Sequence, residues 1–186
     1  MRTLIFVTGN SGKVREASSI LAPMGIKLVQ EEMDLPEIQD KDPAKVSEHK
    51  AREAFSRLKK PIIVEDTGLR LEAMGGYPGA LIKHFLDALG RQGIVDFVRG
   101  KDPSAEAACV VTYCGPDGKT KSFRGSVKGR ISGKVTQGYD FGWDPIFIPE
   151  GQEKTFAEMG MEEKNAVSHR MRALEKLASW LSSNPR

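Results

Sequence analysis

Thr8-Gly9-Asn10-Ser11-Gly12-Lys13 places two glycines, three small polar side chains and a lysine between an apolar run and an amphipathic one. A turn of this composition can aim backbone N–H groups and a helix N-terminus at an anion, and Lys13 adds a full positive charge. It is not the Gly-Lys-Ser/Thr phosphate loop. Val7 and Val14 stand where that pattern needs Gly and Ser or Thr. A plain strand-to-helix turn accounts for the same residues equally well. Glu65-Asp66-Thr67-Gly68 follows the apolar run Ile62-Ile63-Val64. In an open α/β sheet, ligands sit beyond the carboxyl ends of strands. Two acids there could hold Mg²⁺ through oxygen ligands or polarise a water. Glu37, between Pro36 and Ile38, is a candidate third carboxylate.

Two further segments could recognise a flat, polar ligand. Phe141-Gly142-Trp143-Asp144-Pro145 straddles a glycine with two aromatic rings and adds an acid. Aromatic faces stack on heterocycles, and a carboxylate can accept from a purine ring N–H; core packing is the commoner fate of such rings. In Lys164-Asn165-Ala166-Val167-Ser168-His169-Arg170, Ser168 reads as a helix cap. His169 and Arg170 then fall in the first helical turn, where cations oppose the helix dipole. A ligand could repay that conflict, or the two side chains could simply face solvent. Lys50 reads as a solvated lysine, whereas Lys83 sits among Leu81, Ile82, Phe85 and Leu86. Together these residues suit Mg²⁺-dependent chemistry on a nucleoside polyphosphate. They choose neither the bond cleaved nor the base.

The elements that position them can be read in outline. Thr3 to Val7 is a continuously apolar strand, the mark of burial on both faces. A helix follows with Val14, Ala17, Leu21 and Met24 on one stripe and Gly25 as its stop, then a strand over Ile26 to Val29. Asp42-Pro43 starts a helix running to about Leu58. Ile62-Ile63-Val64 is a strand ending at Glu65, and Pro78-Gly79 leads into a helix near Ala80 to Leu89. Ala107 to Tyr113 and Lys119 to Val127 form a hairpin around Gly115-Pro116-Asp117-Gly118. The last helix spans Ser168 to Leu181. Interleaved helices and strands with a late hairpin predict an α/β fold with a mixed sheet.

The 186 residues predict a single domain over 1–186. No apolar run exceeds Ala107 to Val111, so no membrane span is expected. With no signal-peptide pattern at the N-terminus, the expected compartment is the cytoplasm. The formal net charge of +3 is too weak to indicate nucleic-acid binding. Cys109 and Cys114 lie on one predicted strand, about 16 Å apart and on opposite faces, which excludes a disulfide.

Six segments, in order and spacing, resemble the inosine triphosphate pyrophosphatase family. They are the four above, with Pro78-Gly79 to Lys83 and Thr155-Phe156-Ala157-Glu158-Met159 to Lys164-Asn165. The resemblance covers essentially the full length. It implies an elongated mixed sheet flanked by helices, in two lobes with a central nucleotide cleft, and a homodimer. It implies Mg²⁺-dependent hydrolysis of ITP, dITP and XTP to the monophosphate and pyrophosphate. Thr8, Gly9, Asn10, Ser11, Gly12 and Lys13 would then cradle the triphosphate, with Lys50, Thr67 and Lys83 nearby. Glu37 and Asp66 would hold the metal. Asp66 would activate water, with Lys13 and Glu65 assisting. Phe141, Gly142, Trp143, Asp144, Lys164, His169 and Arg170 would form the base and sugar pocket, within reach of Glu16. Thr67 stands where many relatives have Ser, which keeps the hydroxyl.

Two rivals differ in testable ways. A Maf-type nucleotide pyrophosphatase would prefer pyrimidine or modified nucleotides, and Phe141 and Ser168-His169-Arg170 argue against it. A non-catalytic nucleotide- or RNA-binding domain leaves Glu37 and Asp66 unexplained, since acids without a metal repel a phosphate.

Overall fold

The computed structural model describes residues 2–184. The chain runs β1 (Arg2–Val7), α1 (Ser11–Leu21), β2 (Ile26–Glu31), α2 (Pro43–Leu58), β3 (Ile62–Leu71) and β4 (Tyr77–Gly79). It continues through α3 (Ile82–Val98), β5 (Ser104–Cys114), β6 (Thr120–Ile131), β7 (Phe147–Pro149), α4 (Met161–Val167) and α5 (His169–Ser183). The seven strands form one mixed sheet in the order β2-β1-β3-β5-β6-β7, with β4 also pairing with β3. β1 is parallel to β2 and β3, whereas β3, β5, β6 and β7 are mutually antiparallel neighbours.

Local chemistry sets the helix boundaries. Asn10 caps α1 by accepting from the Lys13 amide, Asp42 caps α2 through the Ala44 amide, and Ser168 caps α5 through the Met171 amide. Gly25, at φ 74°, takes the left-handed turn after α1 that its Cβ-less backbone permits. α1 stops earlier than its periodicity suggests. Ala22–Met24 form a 3₁₀ turn, so Met24 leaves the predicted apolar stripe and is exposed.

β3 is the main departure from the expected elements. It does not end at Glu65 but continues to Leu71, paired along its whole length with β5. Its other edge is paired with β1 only at Ile62 and Ile63, and with β4 only at Leu69 to Leu71. Val64 to Gly68 therefore have an open edge, and the cleft lies there. The period of two sends Ile63 and Glu65 to the α1/α5 face and Ile62, Val64 and Asp66 to the α2 face. Cys109 and Cys114 fall in these two different clusters, both as free thiols.

A third apolar cluster gathers Leu69, Ile82, Ile94, Val98, Phe147 and Phe156 at the far end of the sheet. The open edge of β3 separates this end from the other two clusters. α3 is also longer than expected, running past Leu89 to Val98 with a break at Gly90. Among the described residues, no helix is long and apolar enough to cross a membrane.

Candidate active site

The open edge of β3 forms one wall of a cleft of about 1440 Å³. The C-terminal end of β1 delivers Thr8, Gly9, Asn10 and Ser11 to its rim, and the first turn of α1 delivers Lys13. Thr8 Oγ1 accepts from the Asn10 amide at 3.1 Å, and the Thr8 carbonyl accepts from Gln30 Nε2 at 2.9 Å. These bonds fix the turn. With the Asn10 cap spent on the Lys13 amide, the Ser11 and Gly12 amides keep no acceptor within the helix. Lys13 Nζ reaches across to β3, 3.4 Å from the Glu65 carbonyl and 3.5 Å from its Oε1. The missing strand neighbour is what leaves that carbonyl accessible.

On the α2 face, Lys50 Nζ lies 2.7 Å from Glu37 Oε1 and 3.6 Å from Asp66 Oδ1. Burial pushes the Asp66 carboxyl up to about 6, a rise that Lys13 and Lys50 oppose and Glu37 and Glu65 reinforce. Burial alone would lower Lys50, but Asp66 and Glu37 raise it. Glu37 is held below its ordinary value, against burial, by its hydrogen bond to Lys50. Asp66 Oδ2 is buried and has no hydrogen-bond partner. An unpartnered carboxylate oxygen beside a second carboxylate is a fitting hard-cation donor set. Among the described residues, no group of three or more His, Cys, Asp or Glu could enclose a metal. An ion here would complete its shell with ligand oxygens and water, as Mg²⁺ commonly does. Thr67 and Lys83 line the same cleft.

The opposite wall carries Phe141, Gly142, Trp143, Asp144, His169 and Arg170. Trp143 and His169 stack at 6.1 Å, and Phe156 packs against the imidazole, tilted, at 5.9 Å. Burial, with Arg170 and Lys164 nearby, holds His169 well below the ordinary histidine range, so its ring is neutral at neutral pH. His169 Nδ1 and Trp143 Nε1 are buried without partners. A heterocycle in the cleft could satisfy either.

Beneath this wall lies a chain of alternating charges. Lys164 Nζ binds Asp144 Oδ2 at 2.5 Å and Glu16 Oε1 at 2.6 Å. Glu16 also binds Arg170, whose Nε and terminal nitrogen grip both Glu65 oxygens at 2.9 Å each. Glu65, although burial works against ionisation, is held at about 2 by Arg170 and Lys13. Asp144 is pushed up to about 6 by burial, against the pull of Lys164. With His169 neutral, Arg170 is the cation in the first turn of α5, and the protein's own Glu65 and Glu16 answer its conflict with the dipole.

The cleft surface gathers sixteen of the predicted site residues but not the remaining four. Glu16, Glu65 and Lys164 lie in the ion network below it, at most 3% exposed. Gly12 sits under Phe141, whose Cε2 would lie 2.7 Å from an added Cβ. Lys164 Nζ is thus engaged by Asp144 and Glu16 just below the cleft surface. The cleft also contains Leu86, Gly90, Arg91 and Val135, which sequence reasoning did not single out. Reading α3 as ending at Leu89 hid Gly90 and Arg91, and Leu86 and Val135 carry no chemical signature.

A sequence model described as the Ham1 family matches residues 4–180. A dITP/XTP pyrophosphatase of Methanopyrus kandleri is 42% identical over 182 residues, covering 97% of each chain. An inosine triphosphate pyrophosphatase of Yarrowia lipolytica is 46% identical, covering 97% of this chain and 96% of that one. Among solved structures, a HAM1 protein from Coxiella burnetii superposes with a TM-score of 0.83 at 26% identity, covering 98% of this chain and 100% of that one.

Proposed function

Because the chain belongs to the Ham1 family, we propose that it is a Mg²⁺-dependent nucleoside triphosphate pyrophosphatase that converts ITP, dITP and XTP to the monophosphate and pyrophosphate. The observation that carries this reading is Asp66. Its buried, unpartnered Oδ2 shares one cleft with the loop from Thr8 to Lys13 and the wall from Phe141 to Asp144. The names of the relatives favour deaminated purines as the substrates.

In this reading the water oxygen bonds to the α-phosphorus, the bond from that phosphorus to the bridging oxygen breaks, and pyrophosphate leaves. Asp66 orients the water and accepts its proton, a task suited to a carboxyl lifted to about 6. Lys13, Lys50 and Lys83 stabilise charge on the phosphate oxygens and on the leaving pyrophosphate. Glu37 and Asp66 would hold Mg²⁺, which supplies Lewis-acid polarisation of phosphate oxygens when bound.

The far wall supports a preference for hypoxanthine and xanthine over adenine. Arg170 engages three N–H directions in Glu65 and Glu16 and retains others that suit an acceptor at purine position 6. Asp144 suits a ring N–H at position 1. Adenine reverses both groups and would leave buried polar atoms unpaired, a mismatch worth up to about 10⁴ in discrimination.

Product analysis with Mg²⁺ and ITP, beside XTP, ATP, GTP, dTTP and UTP, tests the whole reading. IMP plus pyrophosphate is the expected result. Orthophosphate release would remove Asp66 from its assigned place, and turnover of dTTP or UTP alone would favour the Maf-type activity. Lys13→Ala should raise KM for ITP by about tenfold or more, the equivalent of one charge-assisted contact. Unchanged kinetics would remove Lys13 from the phosphate site. The homodimer is part of the same proposal and rests on the family resemblance; a monomeric mass in solution would remove it.

A further inference from the structure

The second half of α3 carries a side chain that the mechanism leaves unused. α3 breaks at Gly90, with φ 65° and ψ 175°, a conformation that glycine adopts without the strain of a Cβ. The next residue, Arg91, faces the cleft. Its Nε donates to the Gly142 carbonyl at 2.7 Å, and a terminal nitrogen lies 2.5 Å from Asp140 Oδ1. These two acceptors flank Phe141 in the chain.

The loop's backbone is tied from behind where the Tyr139 amide donates to the Ala157 carbonyl at 2.9 Å, and it is turned on itself by the Phe141 amide to the Tyr139 carbonyl at 3.1 Å and the Asp144 amide to the Phe141 carbonyl at 2.9 Å. Lys164 Nζ and the Arg170 guanidinium lie 5.3 and 5.6 Å from the centre of the Phe141 ring. At Gly142, φ is 53° and nothing lies within 4 Å of an added Cβ, so that side of the backbone is open. Phe141 itself rests against Gly12 and stacks on Tyr139 at 6.1 Å. Among the described residues, the side-chain hydrogen bonds and ion pairs between α3 and this loop are those of Arg91.

Resting on the nucleotide reading of the cleft, we propose that Arg91 is a positioning residue, a latch that holds both sides of Phe141 and so sets its ring against the purine base. A guanidinium can serve a carbonyl and a carboxylate together because its donors form a rigid planar fork. Lysine presents one point charge and can hold only one of them well. The Asp140 arm is largely exposed and screened by salt, so the Gly142 arm supplies most of the restraint. An unlatched loop would have to be ordered by each incoming base, which weakens base binding and leaves phosphate contacts alone.

Arg91→Ala and Arg91→Lys in the full chain provide the test. For Arg91→Ala, KM for ITP should rise about tenfold, with the larger part of the loss in KM rather than kcat. The inhibition constant of inorganic tripolyphosphate, which has no base, should stay at its wild-type value. Arg91→Lys should recover only part of the loss. Amide hydrogen exchange over residues 139–142 should quicken about tenfold in Arg91→Ala, while α5 stays protected. Unchanged exchange in that loop overturns the latch, whatever the substrate proves to be. Equal weakening of ITP and tripolyphosphate also overturns it. A wild-type protein inactive on ITP overturns the functional reading instead, and the exchange result still decides the latch.

Discussion

An Asp66→Asn variant is expected to lose about 10²–10⁴-fold in kcat while gaining thermal stability in metal-free buffer. The two effects share one cause. The folded protein holds the Asp66 carboxyl at about 6, against 3.8 for the ordinary group, chiefly through burial. The folded state therefore binds this proton more tightly than the unfolded chain does. The ionised form costs stability above about pH 6, and that cost fades as the pH falls through 6 toward 4. Asparagine keeps the shape and loses the charge. The gain should be on the order of 2 kcal/mol near pH 8 and close to nothing near pH 4. Thermal melts in a chelator at those two pH values check it. Saturating Mg²⁺ should then stabilise the wild type more than the variant, because a ligand stabilises only the state that binds it. Retained turnover would take Asp66 out of the chemistry. A melting point lowered at pH 8 would show that its charge is compensated by more than Lys50 and Lys13.

The caps Asp42 and Ser168 were legible in the sequence because each acts on an amide two or three residues away. The alternation that puts Cys109 and Cys114 on opposite faces was equally local. β3 was not legible beyond Val64. Two charged residues interrupt an apolar run, and nothing nearby says that a strand can carry them inside. What makes it possible is remote. Glu65 is met by Arg170, 105 positions away, and Asp66 by Lys50 on the other face of the sheet. Remoteness likewise hid the burial of Lys164, whose partner Glu16 is 148 residues earlier. Local composition marked these residues as chemically unusual. Only the folded sheet separates those that line the cleft, such as Asp66 and Arg170, from those that brace it, such as Glu65 and Lys164. The helix expected to end near Leu89 was not legible past that point either. α3 resumes beyond the break at Gly90, and that break brings Arg91 to the cleft.

Arg170 illustrates why a site residue in such a network is a poor single probe. It is 2% exposed, and its removal takes the guanidinium from both buried carboxylates, leaving Glu65 with Lys13 and Glu16 with Lys164. Arg170→Met should destabilise the protein by about 3–5 kcal/mol near neutral pH, the range for breaking a buried pair from one side. That corresponds to roughly 10 °C in melting temperature for a chain of this size. The pH dependence has a definite sign. With Arg170 present, Glu65 is depressed to about 2, so its stabilising contribution is complete above about pH 4.5 and is lost as the pH falls through 2. Without Arg170, burial dominates and the carboxyl takes a proton at higher pH. The penalty of the substitution should therefore be greatest near neutrality and shrink toward pH 4. Adding Glu65→Gln and Glu16→Gln to Arg170→Met should recover most of the loss, because the stranded charges go with their partner. A single variant that melts like the wild type would mean that water reaches Glu65 and that the network is not dry. The triple variant then allows the question the single one confounds. If it folds and still prefers ITP over ATP, base choice belongs to Asp144 and the stacked wall; if the preference collapses, the remaining Arg170 donors read position 6.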